Sequence, residues 1–202
     1  MLESKFITRI AQEISLNEEQ VTRTIELFDG GATIPFVARY RKDVTSNLDE
    51  AQLEAIQQRA QYFSSLAQRR ESILETIEKQ GKLTEELKAE IEACFDQTRL
   101  EDLYLPFKPA RRTKATVARE KGLEPLADFL MKQIVLDGAI ELFAEKYVNR
   151  EKAVSSAEEA LEGAAFILAE RISTDADVRA LVRARMLDKG IIKVHPTKNA
   201  DG

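Results

Sequence analysis

From Asp49 to Gln80 the chain contains neither proline nor glycine, and Asp49 with Gln52 three residues later has the form of a capping box. Nothing in this stretch stops a helix once it has started. The pattern predicts one long central helix, roughly 48 Å at about 1.5 Å per residue. Leu53, Ile56, Ala60, Phe63, Ala67, Arg70, Leu74 and Ile77 recur at alternating spacings of three and four, the seam of a coiled coil or helical hairpin. Small alanines and one arginine make that seam imperfect. A strut of this kind sets the distance between two parts of a larger machine or forms the backbone of a small helical domain, and the spacing leaves both readings open.

The flanking sequence is also helical in pattern. Phe6, Ile7, Ile10 and Ile14 follow i, i+3, i+4 spacing, and Asn17 with Gln20 makes a capping box ahead of Val21, Ile25 and Phe28. Gly30 and Gly31 end that second helix. Pro35 suits the first turn of a third, with Phe36, Val37 and Tyr40 packing inward and Arg39, Arg41 and Lys42 facing out. Helix, glycine turn, helix is the order of a helix-turn-helix, but it is also a common corner of helical domains. Beyond Gly81, Thr84 caps a shorter helix whose Leu87, Ile91, Cys94 and Phe95 fold back antiparallel on the long one.

Further on, Leu100, Leu103 and Tyr104 mark a turn or two of helix. Pro125 opens a helix carrying Leu126, Phe129, Leu130 and Ile134, and Ile140, Phe143 and Tyr147 follow Gly138 as a short one. Ser155 with Glu158, or Ser156 with Glu159, caps an alanine-rich helix. Thr174 or Asp175 starts the last helix, with Val178, Leu181, Val182 and Met186 inward, and the closing IIKV at 191–194 reads as a strand in need of a partner. The expected fold is therefore all-α and multihelical, with antiparallel helical packing. It is one domain over 1–202 with subregions 1–48, 49–97 and 98–202, and the polar, uncapped last residues read as a cut in a longer protein.

Net charge is -5, which excludes indiscriminate polyanion binding by the whole surface but leaves local basic patches free to act over a Debye length of about 10 Å. There are two such patches. One is Arg39, Arg41 and Lys42; the other is an island between Arg99 and Pro125 that holds Lys108, Arg111, Arg112, Lys114, Arg119 and Lys121. Pro106 and Pro109 interrupt helical periodicity there, so Leu105 and Lys108 are expected extended and the island a shaped loop.

Several chemistries are excluded by residue counts. His195 is the only histidine and Cys94 the only cysteine, which removes most nucleophilic triads and nearly all zinc sites. Gly30-Gly31 lacks the continuation of a phosphate-binding loop. Acids such as Glu101 and Asp102, or Glu158 and Glu159, are adjacent on helices and diverge, which suits solvated faces better than a metal-dependent nuclease. No catalytic residue, metal or cofactor is expected. No window resembles a membrane span or signal peptide, and a lone cysteine fits a reducing compartment, so the expected location is cytoplasmic.

Three stretches carry a resemblance: GGATIPFVARYRKDVTSNLDEAQLEAI at 30–56, LEDLYLPFKPARRTKATVAREKGLEPLA at 100–127 and LEGAAFILAERISTDADVRALVR at 161–183. Together they resemble the N-terminal region of the bacterial transcription accessory Tex family. The resemblance implies a fragment: such proteins continue into a ribonuclease-H-like domain, helix-hairpin-helix motifs and a C-terminal OB-fold domain associated with their main nucleic-acid site. It also implies work around RNA polymerase or nucleic acid. Phe107 stands where a tyrosine is common, and Asp43 to Asn47 replaces a link richer in glycine. Neither departure removes a charge from the island.

Two functions follow as expectations. One is a non-catalytic scaffold of a transcription accessory protein with weak, salt-dependent contacts to nucleic acid, RNA or DNA, from Lys108, Arg111, Arg112, Lys114, Arg119, Lys121, Arg39, Arg41 and Lys42. The other is a protein-interaction or purely structural module that docks the remaining domains of the full-length protein or the transcription machinery, its island pairing with acids such as Glu101 and Asp102.

Overall fold

The long helix forms as its sequence requires. In the structure, a computed structural model describing residues 2–109, 112–133 and 140–194, it spans Glu50–Lys79 (α4), and Asp49 and Gln52 exchange side-chain to backbone hydrogen bonds of 2.8 and 3.0 Å at its start. Before it come Ser4–Ile14 (α1), Glu18–Asp29 (α2) and Ile34–Tyr40 (α3), with the Asn17–Gln20 capping box in place at the start of α2. After it come Glu85–Glu92 (α5), capped by Thr84, and Gln97–Tyr104 (α6). Then follow Lys114–Glu120 (α7), Glu124–Met131 (α8), Ile140–Ala144 (α9), Ala157–Thr174 (α10) and Ala176–Lys189 (α11). The fold is all-α with antiparallel helical packing. Among the described residues the sole β feature is an isolated bridge between Asn149 and Val154.

Two compact units divide the chain, 1–97 and 98–202. In the first, α4 packs on α1, α2 and α3 more extensively than on α5. Phe6, Phe63 and Phe95 make the aromatic centre, with Phe6 and Phe63 stacked at 5.0 Å and Phe95 edge-on to both. Arg70 is buried beside them. It donates to the Glu92 carbonyl at 3.1 Å and to Glu3 Oε1 at 2.6 Å, and its guanidinium lies 5.2 Å from the Phe6 ring centre. For Glu3, burial pushes its pKa up, but hydrogen bonds and charge from Lys5 and Arg70 outweigh that and hold the carboxyl below its ordinary range.

The buried stripe of α4 is Leu53, Ile56, Phe63, Leu66, Arg70, Ile73 and Ile77. The expected seam is thus right at five positions and rotated at the others: Leu66 and Ile73 replace Ala67 and Leu74. The physical reason is that three helices cover α4, not one antiparallel partner, so its apolar surface turns toward them. Ala60, Ala67 and Leu74 instead line an open groove of about 1100 Å³, whose rims carry Lys5 and Lys88 as well as Glu71, Glu75 and Glu78.

In the second unit, α10 is the central helix, packed by α7, α8 and α9. Ala115, Ala118, Leu123, Leu126, Ala127, Ala160, Ala164 and Ile167 form its core. Alanines and Gly163 let α10 come close: a Cβ on Gly163 would lie 2.3 Å from Leu123 Cδ1 and 3.5 Å from the Ala118 Cβ. Cys94, in the first unit, is a buried thiol that donates to the Asp96 carbonyl at 3.2 Å, as a small core residue can.

Four local expectations are corrected. Lys114–Glu120 is helical, so the irregular part of the island is shorter than the prolines suggest. Leu105 begins a 3-10 turn, Leu105–Phe107, in place of extended chain, because a prolyl nitrogen early in such a turn has no hydrogen bond to give; Lys108 is extended as expected. Residues 191–194 form no strand, for among the described residues there is no strand to pair with them. On α11 no residue is buried: Leu181 is 71% and Leu187 84% exposed, Val182 and Met186 are also exposed, and Val178 is half-buried. Ile134, Gly138 and His195 lie outside the described residues.

Candidate nucleic-acid interface

A basic side chain can neutralise a phosphate only if it is not already neutralised at home, so the partners of each predicted cation decide what it can do. The island cations are mostly engaged. Arg112 pairs with Glu120 at 2.6 Å across the solvent face of α7. Arg119 reaches Glu170 on α10 at 2.6 Å and Glu124 at 3.5 Å, and Lys121 reaches Glu159 at 3.5 Å. Lys114 sits 4.5 Å from the Phe166 ring centre, a cation–π contact. Lys108 is exposed and, among the described residues, pairs with no carboxylate. Arg111 lies outside the described residues.

These pairs fasten helices together. Glu170 receives Arg119 on one carboxylate oxygen and the Thr113 hydroxyl, at 2.9 Å, on the other, so α10 holds both ends of α7. Arg171 on the next residue donates to Asp128 and Glu124 of α8 at 2.6 and 2.8 Å. The hydrogen bonds it donates to these carboxylates, only partly opposed by burial, raise the Arg171 pKa further and keep it charged. Glu159, hydrogen-bonded at its carboxylate by the Ser155 backbone and drawn also by Lys121, is held below its ordinary range.

Of the acids expected to meet the island, Asp102 is engaged elsewhere. Asp102 is buried on α6 and is taken by α11: Arg179 Nε donates to Oδ1 at 2.6 Å and Arg183 to Oδ2 at 2.8 Å. Arg99 adds a pair with Asp177 at 2.7 Å. Burial alone would raise the Asp102 pKa, but the hydrogen bonds and charges of the two arginines outweigh it and hold the carboxyl below its usual value. The members of this latch are 77 and 81 residues apart, and no local pattern announces such a pair.

The α3 patch is different. Arg39, Arg41 and Lys42 are exposed, and among the described residues none of them is paired with a carboxylate. Between Gly30 and Leu48 the only acid is Asp43. Cations at a helix C-terminus also face the negative end of its dipole, which favours their clustering there. Of the apolar residues expected to pack, only Val37 is buried; Phe36 and Tyr40 are 41% and 62% exposed. A seven-residue helix has one narrow inner face, and positions i and i+4 share the outer one. The two rings meet there at 5.5 Å and 45°, with the Arg41 guanidinium 5.6 Å from the Phe36 ring centre. The signal was visible in IPFVARYRK, where aromatics four apart are interleaved with bases.

Among the described residues no group of three or more His, Cys, Asp or Glu side chains is placed to hold a metal ion, and no helix is long and apolar enough to cross a membrane.

Comparison with known proteins follows the same division of the chain. Residues 4–78 match the Tex-like protein N-terminal domain, and residues 138–201 match the Tex central region-like domain. The chain is 46% identical over 187 residues to the transcriptional accessory protein Tex of Neisseria gonorrhoeae, covering 92% of this chain and 24% of that protein. It is 44% identical over 201 residues to protein tex of Bordetella pertussis, covering 98% and 25% respectively. The S1 RNA-binding domain-containing protein 1 of Homo sapiens is 33% identical over 161 residues, 79% of this chain and 16% of that one. The chain thus spans about a quarter of the length of these bacterial relatives.

Proposed function

The chain belongs to the Tex family of transcription accessory proteins and corresponds to its N-terminal region, and on that premise we propose that it is a non-catalytic helical scaffold making secondary, electrostatic contacts to nucleic acid. Within it, the end of α3 is the contact surface, with Lys108 as an outlier of the same kind in the second unit. The observation that carries this reading is the contrast in pairing: Arg39, Arg41 and Lys42 have no carboxylate partner among the described residues, while Arg112, Arg119 and Lys121 do. The name of the human relative, which specifies RNA binding, agrees with RNA as the polyanion. Contacts of this kind fix position and carry no base readout.

The island supports a second role, that of an internal brace. Its cations join α7 to α10, which suits a structural or protein-interaction module on which the remaining domains of a full-length relative, or the transcription machinery, dock. A helix-turn-helix use of α2 and α3 on DNA is the finer form of the first reading.

Charge reversal separates the roles. The 202-residue chain is titrated with single- and double-stranded RNA and DNA at about 50 and 200 mM salt. Reversal of Arg39, Arg41 and Lys42 to glutamate abolishes binding, whereas reversal of Arg112 and Lys114 leaves affinity within about threefold and lowers stability instead. Absence of binding by the unmodified chain at low salt overturns the nucleic-acid reading.

A further inference from the structure

The geometry points to the outer face of α3 as a stacking platform for unpaired bases, making single-stranded nucleic acid the ligand of this surface. The inference rests on the preceding reading of α3 and goes beyond it, since electrostatic contact alone does not distinguish one strand from two. Tyr40 and Phe36 are uncovered in a unit that otherwise builds its centre from aromatic rings. The ring pair is tilted, so Phe36 buttresses Tyr40 without covering it. Arg41 stands against Phe36, and Arg39 and Lys42 flank the pair with no carboxylate partner among the described residues.

Bases and phosphates alternate along a nucleic-acid strand, and this surface alternates rings and cations over seven residues, Phe36 to Lys42. A base of a duplex already has its faces covered by neighbours and offers nothing to Tyr40. A base of a single strand has a free face, and stacking on an aromatic side chain is tolerant of sequence. Tyr40 therefore takes the base, Phe36 holds the Tyr40 ring in place, and Arg39, Arg41 and Lys42 take the adjoining phosphates. Charge complementarity favours this occupant over a protein partner, which would have to bring a matching acidic face.

The test uses the 202-residue chain with a fluorescently labelled single-stranded RNA of about 20 nucleotides and a duplex of equal length. Phe36→Ala/Tyr40→Ala, at exposed positions, weakens the single strand about tenfold or more, as expected for one lost stack and its support. It leaves the duplex within about twofold and the salt slope unchanged. Arg39→Gln/Arg41→Gln/Lys42→Gln weakens both ligands and flattens the slope by about two. The chain has no tryptophan, so Tyr40→Trp gives a single reporter, quenched by the single strand and not by the duplex. Equal loss on both ligands, or no loss in the aromatic variant, or an unquenched Tyr40→Trp that still binds, overturns stacking while leaving the electrostatic reading intact. No binding of either ligand by the unmodified chain overturns both, and retention of an acidic protein by the same face in that case would reassign it to a protein.

Discussion

Replacing Asp102 by asparagine should release α11 from the second unit while the α7–α8–α10 core stays folded. The helix has no fully buried residue, only half-buried ones such as Val178 and Ala180, so its attachment leans on the two hydrogen-bonded ion pairs to Asp102 and the flanking Arg99–Asp177 pair. A hydrogen bond to a charged group contributes about 1.5–3 kcal/mol. Arg179 and Arg183 are each 39% exposed and can be rehydrated, so the lower end applies. Losing both bonds in Asp102→Ala then costs about 3 kcal/mol, and Asp102→Asn, which keeps one neutral acceptor, about 2 kcal/mol. The second figure is about a thirtyfold rise in the open population, since 1.4 kcal/mol is tenfold. Amide hydrogen exchange reads this directly: protection in α11 should fall about thirtyfold in Asp102→Asn, with α10 unchanged. Acid should mimic the substitution. Because the folded pKa of Asp102 is depressed, its contribution is complete above the ordinary aspartate value of about 3.9 and is lost as pH falls through the lower folded value. The unmodified and variant chains should therefore converge in acid. A change in α11 protection smaller than about threefold at neutral pH would refute the latch.

Two further substitutions test the packing of each unit. Gly163→Ala gains about 1 kcal/mol of helix propensity but drives a Cβ to 2.3 Å from the buried Leu123 Cδ1, an overpacking worth about 1–3 kcal/mol, so the midpoint of urea unfolding should fall; a rise would show that Leu123 moves freely. Arg70→Ala removes a donor to Glu92 and Glu3 and leaves a gap beneath Phe6. It should cost about 2–4 kcal/mol, with Arg70→Lys recovering less than half because an ammonium cannot span both acceptors; equal stability of the lysine variant would refute the bidentate role.

What could be read from sequence follows the range of the interactions concerned. The Asn17–Gln20 and Asp49–Gln52 boxes, the Thr84 cap and the Asp175 cap close within three residues, and each stands where its pattern places it. The α4 stripe was legible in period but not in phase, because Leu66 and Ile73 gain their burial from α1, α2 and α3, whose approach no spacing within α4 encodes. The α7 helix is not legible in the sequence because it is short and joins the core through Ala115 and Ala118, which carry little apolar signal. At the candidate site, the basic residues of α3 and the island were equally visible as charges. What separates them is the acids that meet the island from Glu159 and Glu170, far along the chain, and the exposure of Phe36 and Tyr40, which composition reads as core.

The attachment of α11 has a thermodynamic corollary. Heat capacity and denaturant slope both report the apolar surface that becomes wet on unfolding. A helix whose Leu181, Val182, Met186 and Leu187 are already wet has little left to expose. Its undocking should thus pass almost unseen in calorimetry and in urea titrations, while ionic strength, which leaves the alanine-rich core of α10 untouched, should shift it readily. Two chains of identical melting temperature could differ entirely in whether this helix is in place.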